Sequence, residues 1–169
     1  MSKKIAFVAA TLALAFTANA DARTKARASV SCPSVSILTD ATRLTQMQAG
    51  RIDLKAEIRE PALTCSLAGQ TTKSQLSFWV KGAISPNSDI APRTVPYFVA
   101  IIAEGQVIGK EVFSMAIPFA NGKRKISVKE QIARIDIPVA DGKRAEDYSV
   151  TIGFQLTEEQ VNYNRTASR

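Results

Sequence analysis

Apolar and polar residues alternate along most of the chain, with an apolar residue at every second position. This period of two is typical of β-strands that bury one face and expose the other. The alternating stretches are 52–58, 63–67, 76–80, 135–139 and 150–156. Two further stretches, 95–103 and 107–119, are richer in β-branched and aromatic residues, as central strands are. The pattern therefore predicts seven or eight strands.

Residues that favour turns separate these stretches. They are Ser85-Pro86-Asn87, Glu104-Gly105-Gln106, Asn121-Gly122 and Asp141-Gly142. Asn121-Gly122 predicts a type I′ hairpin, because both central residues of that turn need positive φ. Strands at this spacing, with almost no helical pattern between them, predict an all-β fold, an antiparallel β-sandwich.

Tyr148 stands at the start of the last predicted strand, directly after acidic residues. Immunoglobulin-like sandwiches place a tyrosine at such a corner, with its hydroxyl hydrogen-bonded back to the backbone. The residue two positions later is Val150 rather than cysteine, so an inter-sheet disulfide of the antibody type is not expected there. Two interpretations stay open: a tyrosine corner of an immunoglobulin-like sandwich, or a tyrosine that only caps a strand.

A short C-terminal helix is predicted after the last strand. Thr157 and Gln160 have the spacing of a capping box, in which Thr157 is the N-cap. The helix is expected over about 158–164, with Val161 as its one aliphatic residue. We expect the tail from Arg165 to be frayed, because one or two hydrophobic anchors hold a chain end weakly.

Residues 1–20 have the features of a secretory signal peptide. The segment has two lysines near its start, continues with a 12-residue apolar run from Ile5 to Phe16, and ends in the small-x-small pattern Ala18-Asn19-Ala20. As a helix the apolar run would span roughly 18 Å, which is less than the hydrocarbon core of a membrane, about 30 Å. We predict a signal peptide at 1–20, a flexible basic leader at 21–29 and one β-sandwich domain at 30–169, with no transmembrane segment in the mature chain.

The composition fits an exported globular protein. Of the 169 residues, 46% are apolar and 22% are charged, which excludes collagen-like, largely disordered and multi-span membrane proteins. The formal net charge is +7, and the chain has no histidine. The absence of histidine excludes histidine-based triads, histidine metal sites and imidazole acid–base chemistry.

The chain has two cysteines, Cys32 and Cys65. In an exported protein an even number of cysteines predicts a disulfide. A redox-active pair is the alternative, but such pairs usually have the spacing Cys-x-x-Cys. Lipidation of Cys32 is not expected, because Ser29-Val30-Ser31 is a poor lipobox. We predict a structural Cys32–Cys65 bridge and a periplasmic location.

The sequence contains no motif of an enzyme or a cofactor site. It has no Gly-x-Gly-x-x-Gly or Walker loop, no Ser-x-x-Lys and no calcium loop. Asp40, Asp53, Glu57 and Glu60 are dispersed, and we interpret them as solvated carboxylates. A periplasmic hydrolase that uses a pair of carboxylates is the alternative. We expect no catalytic residue, no cofactor and no metal.

Three features favour binding. Trp79, the only tryptophan, follows Phe78 in an alternating stretch, so the two rings point to opposite faces of the strand. Trp79 is either a core residue or an exposed anchor for a partner or a sugar. The stretch 40–46 is either a partner site or a polar strand edge. The third feature is a pair of basic turns, Lys123-Arg124-Lys125 and Lys143-Arg144.

The basic turns are either ordinary solvated turns or a binding site. If both lie at the same end of the sandwich, their fields add within the Debye length of about 8 Å. They would then contact an anionic envelope polymer or lipid head groups. At opposite ends, the idea has no physical basis. An envelope protein is the alternative partner, and nucleic acid is not expected, because the signal peptide directs the chain away from it.

Four segments carry a resemblance to a known family: 32–45, 53–58, 107–113 and 148–164. They resemble a family of small, functionally uncharacterised exported proteins and lipoproteins of alphaproteobacteria. The resemblance implies a periplasmic or outer-envelope setting and no particular activity. Members often begin at a lipidated cysteine, and this chain departs from that pattern. We interpret the protein as a non-catalytic binding or assembly module of the cell envelope.

Overall fold

A computed structural model shows two four-stranded β-sheets packed face to face. It describes residues 31–68 and 70–167, so the predicted signal peptide at 1–20 and leader at 21–29 lie outside the described residues. In chain order the elements are β1 (Ser34–Ile37), β2 (Arg43–Gln48), β3 (Arg51–Ala68), β4 (Thr71–Ile84), β5 (Arg93–Ala103), β6 (Gln106–Ile117), β7 (Lys125–Pro138), β8 (Tyr148–Phe154) and α1 (Glu158–Ala167). Short 3-10 helices at Thr39–Ala41 and Ala145–Asp147 precede β2 and β8. The predicted all-β sandwich is confirmed.

The first sheet has the strand order β1-β8-β5-β6, and the second sheet has the order β2-β3-β4-β7. All neighbouring strands are antiparallel except β1 and β8, which are parallel. The chain crosses between the sheets after β1, after β4, after β6 and after β7. Strands that follow one another in sequence are therefore often on opposite sides of the core.

The core lies between the two sheets and is filled by alternate residues of their strands. Because successive side chains of a strand point to opposite faces, the other half of each strand faces outward. The largest fully buried side chains are Tyr97, Phe78, Phe119, Phe154, Leu44, Leu54, Ile58, Leu76, Ile117, Ile137, Ile152 and Val80. The alternation in the sequence thus reports directly which residues form the core.

Tyr97 brings a polar group into this core. Its ring meets Phe78 edge-on, with 5.2 Å between ring centroids, and stacks on Phe113 at 5.4 Å. Its hydroxyl donates a hydrogen bond to Oε1 of Glu130 at 3.0 Å, and burial, with the nearby carboxylate, raises the pKa of Tyr97. Glu130 is paired with Phe78 on the inner face of the edge strand β7. An inward-pointing charge on an edge strand hinders pairing with another chain.

The alternating stretches 52–58 and 63–67 belong to one strand, β3. The register between β3 and β4 shifts between Arg59 and Ala62, where Glu60 has a φ of 52°. Pro61 has no N–H to donate to the sheet, so a β-bulge at this point accommodates it without the loss of a hydrogen bond.

The Asn121-Gly122 turn forms as predicted, but the predicted hairpin does not. Both residues have positive φ, 52° and 75°, and the N–H of Lys123 donates to the carbonyl of Ala120 at 2.9 Å. However, β6 pairs with β5 and β7 pairs with β4, so this turn carries the chain from one sheet to the other. The hairpin prediction is wrong because a tight turn fixes the chain direction locally, whereas distant strands decide the pairing. Paired strands are joined by the two-residue turns Ala49-Gly50 and Glu104-Gly105.

Cys32 and Cys65 form the predicted disulfide, with 5.7 Å between their Cα atoms. Cys32 precedes β1 of the first sheet, and Cys65 lies in β3 of the second sheet. The bridge therefore ties the two sheets together at a different place from the antibody disulfide.

Tyr148 makes the backbone contact of a tyrosine corner. Its buried hydroxyl accepts a hydrogen bond from the N–H of Ala140 at 2.9 Å, eight residues earlier in the chain. This contact decides between the two interpretations left open by the sequence, because a residue that only capped a strand would not need it. The corner is a feature that this sandwich shares with immunoglobulin-like domains.

The predicted capping box at the start of α1 is confirmed. The N–H of Gln160 donates to Oγ1 of Thr157 at 3.3 Å, and the N–H of Thr157 donates to Oε1 of Gln160 at 3.0 Å. The expected fraying from Arg165 is wrong, because α1 continues to Ala167 and Arg165 donates to Oδ2 of Asp40 at 2.9 Å. A polar contact, rather than a hydrophobic anchor, holds the end of this helix.

Candidate binding surface

The outward side chains of the second sheet are strongly basic. Strand pairing places them in three rows across the sheet. The first row is Thr45, Lys55, Ala83 and Lys125, the second is Arg43, Glu57, Lys81 and Ser127, and the third is Arg59, Trp79 and Lys129. Between them along the strands lie core residues such as Ala56, Ile58 and Val80. We name seven of these outward residues the basic face: Arg43, Lys55, Arg59, Trp79, Lys81, Lys125 and Lys129.

Most positive charges of the basic face have no acidic partner. Glu57 is the one acidic residue in the three rows, with its Oε1 3.9 Å from Nε of Arg43. The other five cations form no ion pair with any residue in 31–68 or 70–167; they are Lys55, Arg59, Lys81, Lys125 and Lys129. Neighbouring strands are about 4.8 Å apart and successive rows about 6.7 Å apart. These spacings are within the Debye length of about 8 Å, so the fields of the cations add.

Trp79 lies in the middle of the third row and is 39% exposed, whereas Phe78 is fully buried. Trp79 therefore lies outside the core. No aromatic ring or cation of the described chain stacks on the indole, and its N–H has no hydrogen-bond acceptor there. The ring is an apolar platform with Arg59 and Lys129 as its register partners.

An open groove of about 1170 Å³ runs over the first two rows. The small side chains of Ala83 and Ser127 leave room between the long side chains of the lysines. One wall is formed by α1 and the first 3-10 helix and includes Tyr163, whose side chain is 38% exposed. The groove is thus walled on the side of β2, and its lining ends before the row that contains Trp79.

Three side chains of α1 hold this wall in place. Gln160 donates to the carbonyl of Thr45 at 3.1 Å, Asn164 donates to the carbonyl of Arg43 at 2.8 Å, and Arg165 pairs with Asp40. The carbonyls belong to β2, the edge strand of the second sheet. The sequence left two interpretations of the stretch 40–46, a partner site or a polar strand edge. In the structure this stretch continues into the edge strand β2, which also lines the groove.

The two basic turns do not form one site. Lys123-Arg124-Lys125 lies at the start of β7, and Lys143-Arg144 follows its end. Because β7 has 14 residues, about 43 Å separates its ends. The condition that the two turns lie at the same end of the sandwich is therefore not met. The positions of the turns depend on which strands pair, and the sequence does not show this pairing.

Most cations of the turns are already paired. Nζ of Lys143 lies 2.7 Å from Oε1 of Glu104, and this carboxylate raises the pKa of Lys143. Nη2 of Arg144 lies 2.6 Å from Oε1 of Glu146. Arg124 donates to the carbonyls of Ser85 and Ser88 at 2.7 and 2.8 Å. Lys123 is exposed in its turn. Of the five predicted basic residues, Lys125 alone belongs to the basic face.

Three of the dispersed carboxylates have basic partners. Asp53 receives hydrogen bonds from Arg93 at 2.8 and 3.2 Å, and this guanidinium holds the pKa of Asp53 below its ordinary value. Asp40 and Glu57 lie beside Arg165 and Arg43 at the groove. Glu60 is exposed at the bulge of β3. Among the described residues there is no cluster of three or more potential metal ligands from His, Cys, Asp and Glu.

Sequence reasoning missed Lys55, Arg59, Lys81 and Lys129 as candidates. A usable signal existed for three of them, because Lys55 is an outward residue of the stretch 52–58, and Arg59 and Lys81 directly follow the stretches 52–58 and 76–80. Their assembly into one surface depends on the register between three strands, which the alternation does not contain.

Comparisons with known proteins found no relative of this chain, since no family model, no curated protein and no solved structure matches it.

Proposed function

We propose that the protein is an exported protein of the cell envelope and acts as a non-catalytic binding module. The basic face is its binding surface, and the ligand is anionic. The observation that carries the proposal is the group of five cations without acidic partners on the same sheet face as the exposed indole of Trp79.

The disulfide supports the location. Disulfides persist in oxidising compartments such as the periplasm and are rare in the cytosol. The Cys32–Cys65 bridge fits such a compartment. The signal-like pattern of residues 1–20 supports export by the secretory route. In the part of the chain that the structure describes, no helix combines the length and the apolar character needed to cross a membrane.

The charge arrangement supports the kind of ligand. Five like charges on neighbouring strands and rows of one face repel, and this repulsion weakens the fold unless an anion offsets it. Elsewhere on the surface, cations such as Lys143, Arg144 and Arg165 each have an acidic partner. Five cations without an ion pair in the described chain lie together on the basic face, where an anionic ligand would contact them.

The binding proposal is tested with two triple variants that remove equal charge. In one, Lys55, Lys81 and Lys125 are changed to Ser; in the control, Lys73, Lys110 and Lys143 are changed to Ser. Binding to dextran sulfate is measured by titration calorimetry at rising salt. We expect the first variant to lose at least tenfold in affinity and to show a shallower salt dependence, with the control close to the parent. Equal affinities of the two variants would contradict the proposal.

The export proposal is tested separately by the mass of the protein recovered from the periplasm of a bacterial host. Cleavage after Ala20 gives a chain that starts at Asp21. Recovery of only uncleaved protein in the cytoplasm would contradict export.

A further inference from the structure

We infer that the anionic ligand is a linear acidic polysaccharide, held with one sugar ring against Trp79 and with its carboxylates on Lys55, Lys81 and Lys125. This inference rests on the proposed function and names the chemical class of the ligand. It follows from the position of the indole, the shape of the groove and the distance between them.

The third row of the basic face combines an aromatic platform with flanking cations. Arg59 and Lys129 are the register partners of Trp79 on its two sides, each about 4.8 Å away at the backbone. The apolar C–H face of a pyranose ring packs on an exposed indole, and its carboxylate and hydroxyls lie at the rim of the ring. Cations on both sides of the indole are placed to meet these rim groups, whichever way the chain runs.

The groove favours a polymer chain over a planar surface. The wall of α1 and the first 3-10 helix includes Tyr163 and lines the same groove as Lys55. A flat lipid bilayer would rest on this wall and would not reach the floor. A volume of about 1170 Å³ exceeds the 300–1,000 Å³ of typical small-ligand pockets. A short stretch of a polymer fits such a space.

The spacing of the two aromatic residues requires an extended ligand. Thr45, which lines the groove together with Tyr163, and Trp79 are two strands and four residues apart, or about 16 Å at the backbone. Glu57 lies at the midpoint of this path, with Lys55 and Lys81 on its two sides. A single phosphate or a monosaccharide contacts only one part of this path, whereas several linked acidic sugars contact all of it.

Nucleic acid and acidic polypeptide share parts of this chemistry. Single-stranded nucleic acid also combines a charged backbone with rings that stack on aromatic side chains. An acidic peptide supplies carboxylates but no rigid apolar ring for the indole. In an oxidising compartment outside the cytosol, an acidic polysaccharide is the polyanion that fits the indole, the cations and the extended path between them. Tighter binding of nucleic acid or of acidic peptide is an outcome of the test.

Trp79 makes the test direct, because it is the only tryptophan of the chain. Intrinsic tryptophan fluorescence of the full mature chain therefore reports this one position. The probes are a galacturonate oligosaccharide, poly-L-glutamate with the same number of carboxylates, oligothymidylate, and vesicles of phosphatidylglycerol and phosphatidylcholine. We expect the oligosaccharide to shift the emission of Trp79 and to bind about tenfold more tightly than poly-L-glutamate.

Two variants of Trp79 distinguish stacking from charge. Trp79→Leu keeps an apolar side chain but removes the ring, and we expect it to lose about tenfold in affinity for the oligosaccharide and to bind poly-L-glutamate unchanged. Trp79→Tyr keeps a ring and should retain affinity within about threefold. These variants are followed by calorimetry, since Trp79 is then absent.

The outcomes separate this inference from the proposed function. Equal affinity for poly-L-glutamate and the oligosaccharide, with Trp79→Leu neutral, overturns the polysaccharide and leaves the anion-binding face. Tighter binding of oligothymidylate or vesicles than of the oligosaccharide overturns it in favour of those ligands. If none of the polyanions binds, both the inference and the proposed function fail.

Discussion

Asp53 and Arg93 join the two sheets by an ion pair at one end of the sandwich. Asp53 lies in β3 of the second sheet, at a bulge opposite Gln46 and Met47, and Arg93 begins β5 of the first sheet. Both are largely buried, with side chains 9% and 17% exposed. Arg93 also donates to the carbonyl of Ala91 at 2.8 Å, so the pair fixes the loop that connects the sheets.

We expect Asp53→Asn to lower the free energy of unfolding by about 3 kcal/mol at pH 7, because it leaves a largely buried guanidinium unpaired. Arg93 lowers the pKa of Asp53 in the folded protein, so the pair stabilises fully above the unfolded pKa of about 3.9 and is lost as the pH falls through the folded value. Urea unfolding at pH 7 and at pH 2.5 checks both points. A difference between variant and parent that is equally large at both pH values would contradict this role.

Gly153 allows the first 3-10 helix to approach β8. A Cβ atom at this position would lie 2.7 Å from Cβ of Ala41 and 3.0 Å from the ring of Phe98. We therefore expect Gly153→Ala to destabilise the protein by about 1–3 kcal/mol. The control is Gly109→Ala in β6, whose nearest contact would be an ordinary 3.7 Å to Ile101. Thermal or urea unfolding that shifts equally for both variants would show that close approach is not the cause.

The turn between β6 and β7 carries the chain from one sheet to the other. Gly122 has a φ of 75°, a region that β-branched residues resist. Gly122→Val should lower the free energy of unfolding by about 1–2 kcal/mol. Gly122→Asn should cost less, because asparagine tolerates positive φ. The urea midpoints of both variants measure this, and an unchanged midpoint for the valine variant would contradict the requirement.

The element α1 shows how far local sequence signals reach. Its start was predictable, because the capping box needs only Thr157 and Gln160, three residues apart. Its length was not, because the last turn is held by Asp40, which is 125 residues away from Arg165. Signals within one turn of helix are visible in the sequence, and contacts between distant segments are not.

The disulfide is the covalent link between the two sheets, and it closes a separation of 33 residues. In the chain-entropy model such a loop contributes about 3–4 kcal/mol to stability. We expect no free thiol in denatured, unreduced protein and a loss of about this size on changing Cys32 and Cys65 to Ser. Thiol titration and urea unfolding measure the two effects. One equivalent of free thiol would contradict the bridge.

Part of the candidate site could be predicted from the sequence, and the rest could not. Trp79 was identifiable as one of two alternatives, since the alternation puts either Phe78 or Trp79 outside. Lys125 was identified for another reason, as part of a basic turn. Its neighbours Lys55 and Lys81 come from other strands, and only their pairing across β3, β4 and β7 makes one surface of them.

The sequence by itself determined the strands, the sandwich class, the helix cap and the cysteine pair. The strands, the sandwich class and the helix cap depend on local residues, through a period of two or a turn conformation. The cysteine pair was predictable because the chain has only two cysteines. The tertiary structure alone decided that β6 and β7 lie in different sheets, that the basic turns lie at opposite ends of β7, and that the cations of three strands form one face. The physical reason is that strand pairing is a contact between distant segments, and many pairings satisfy the same alternation until the core is packed.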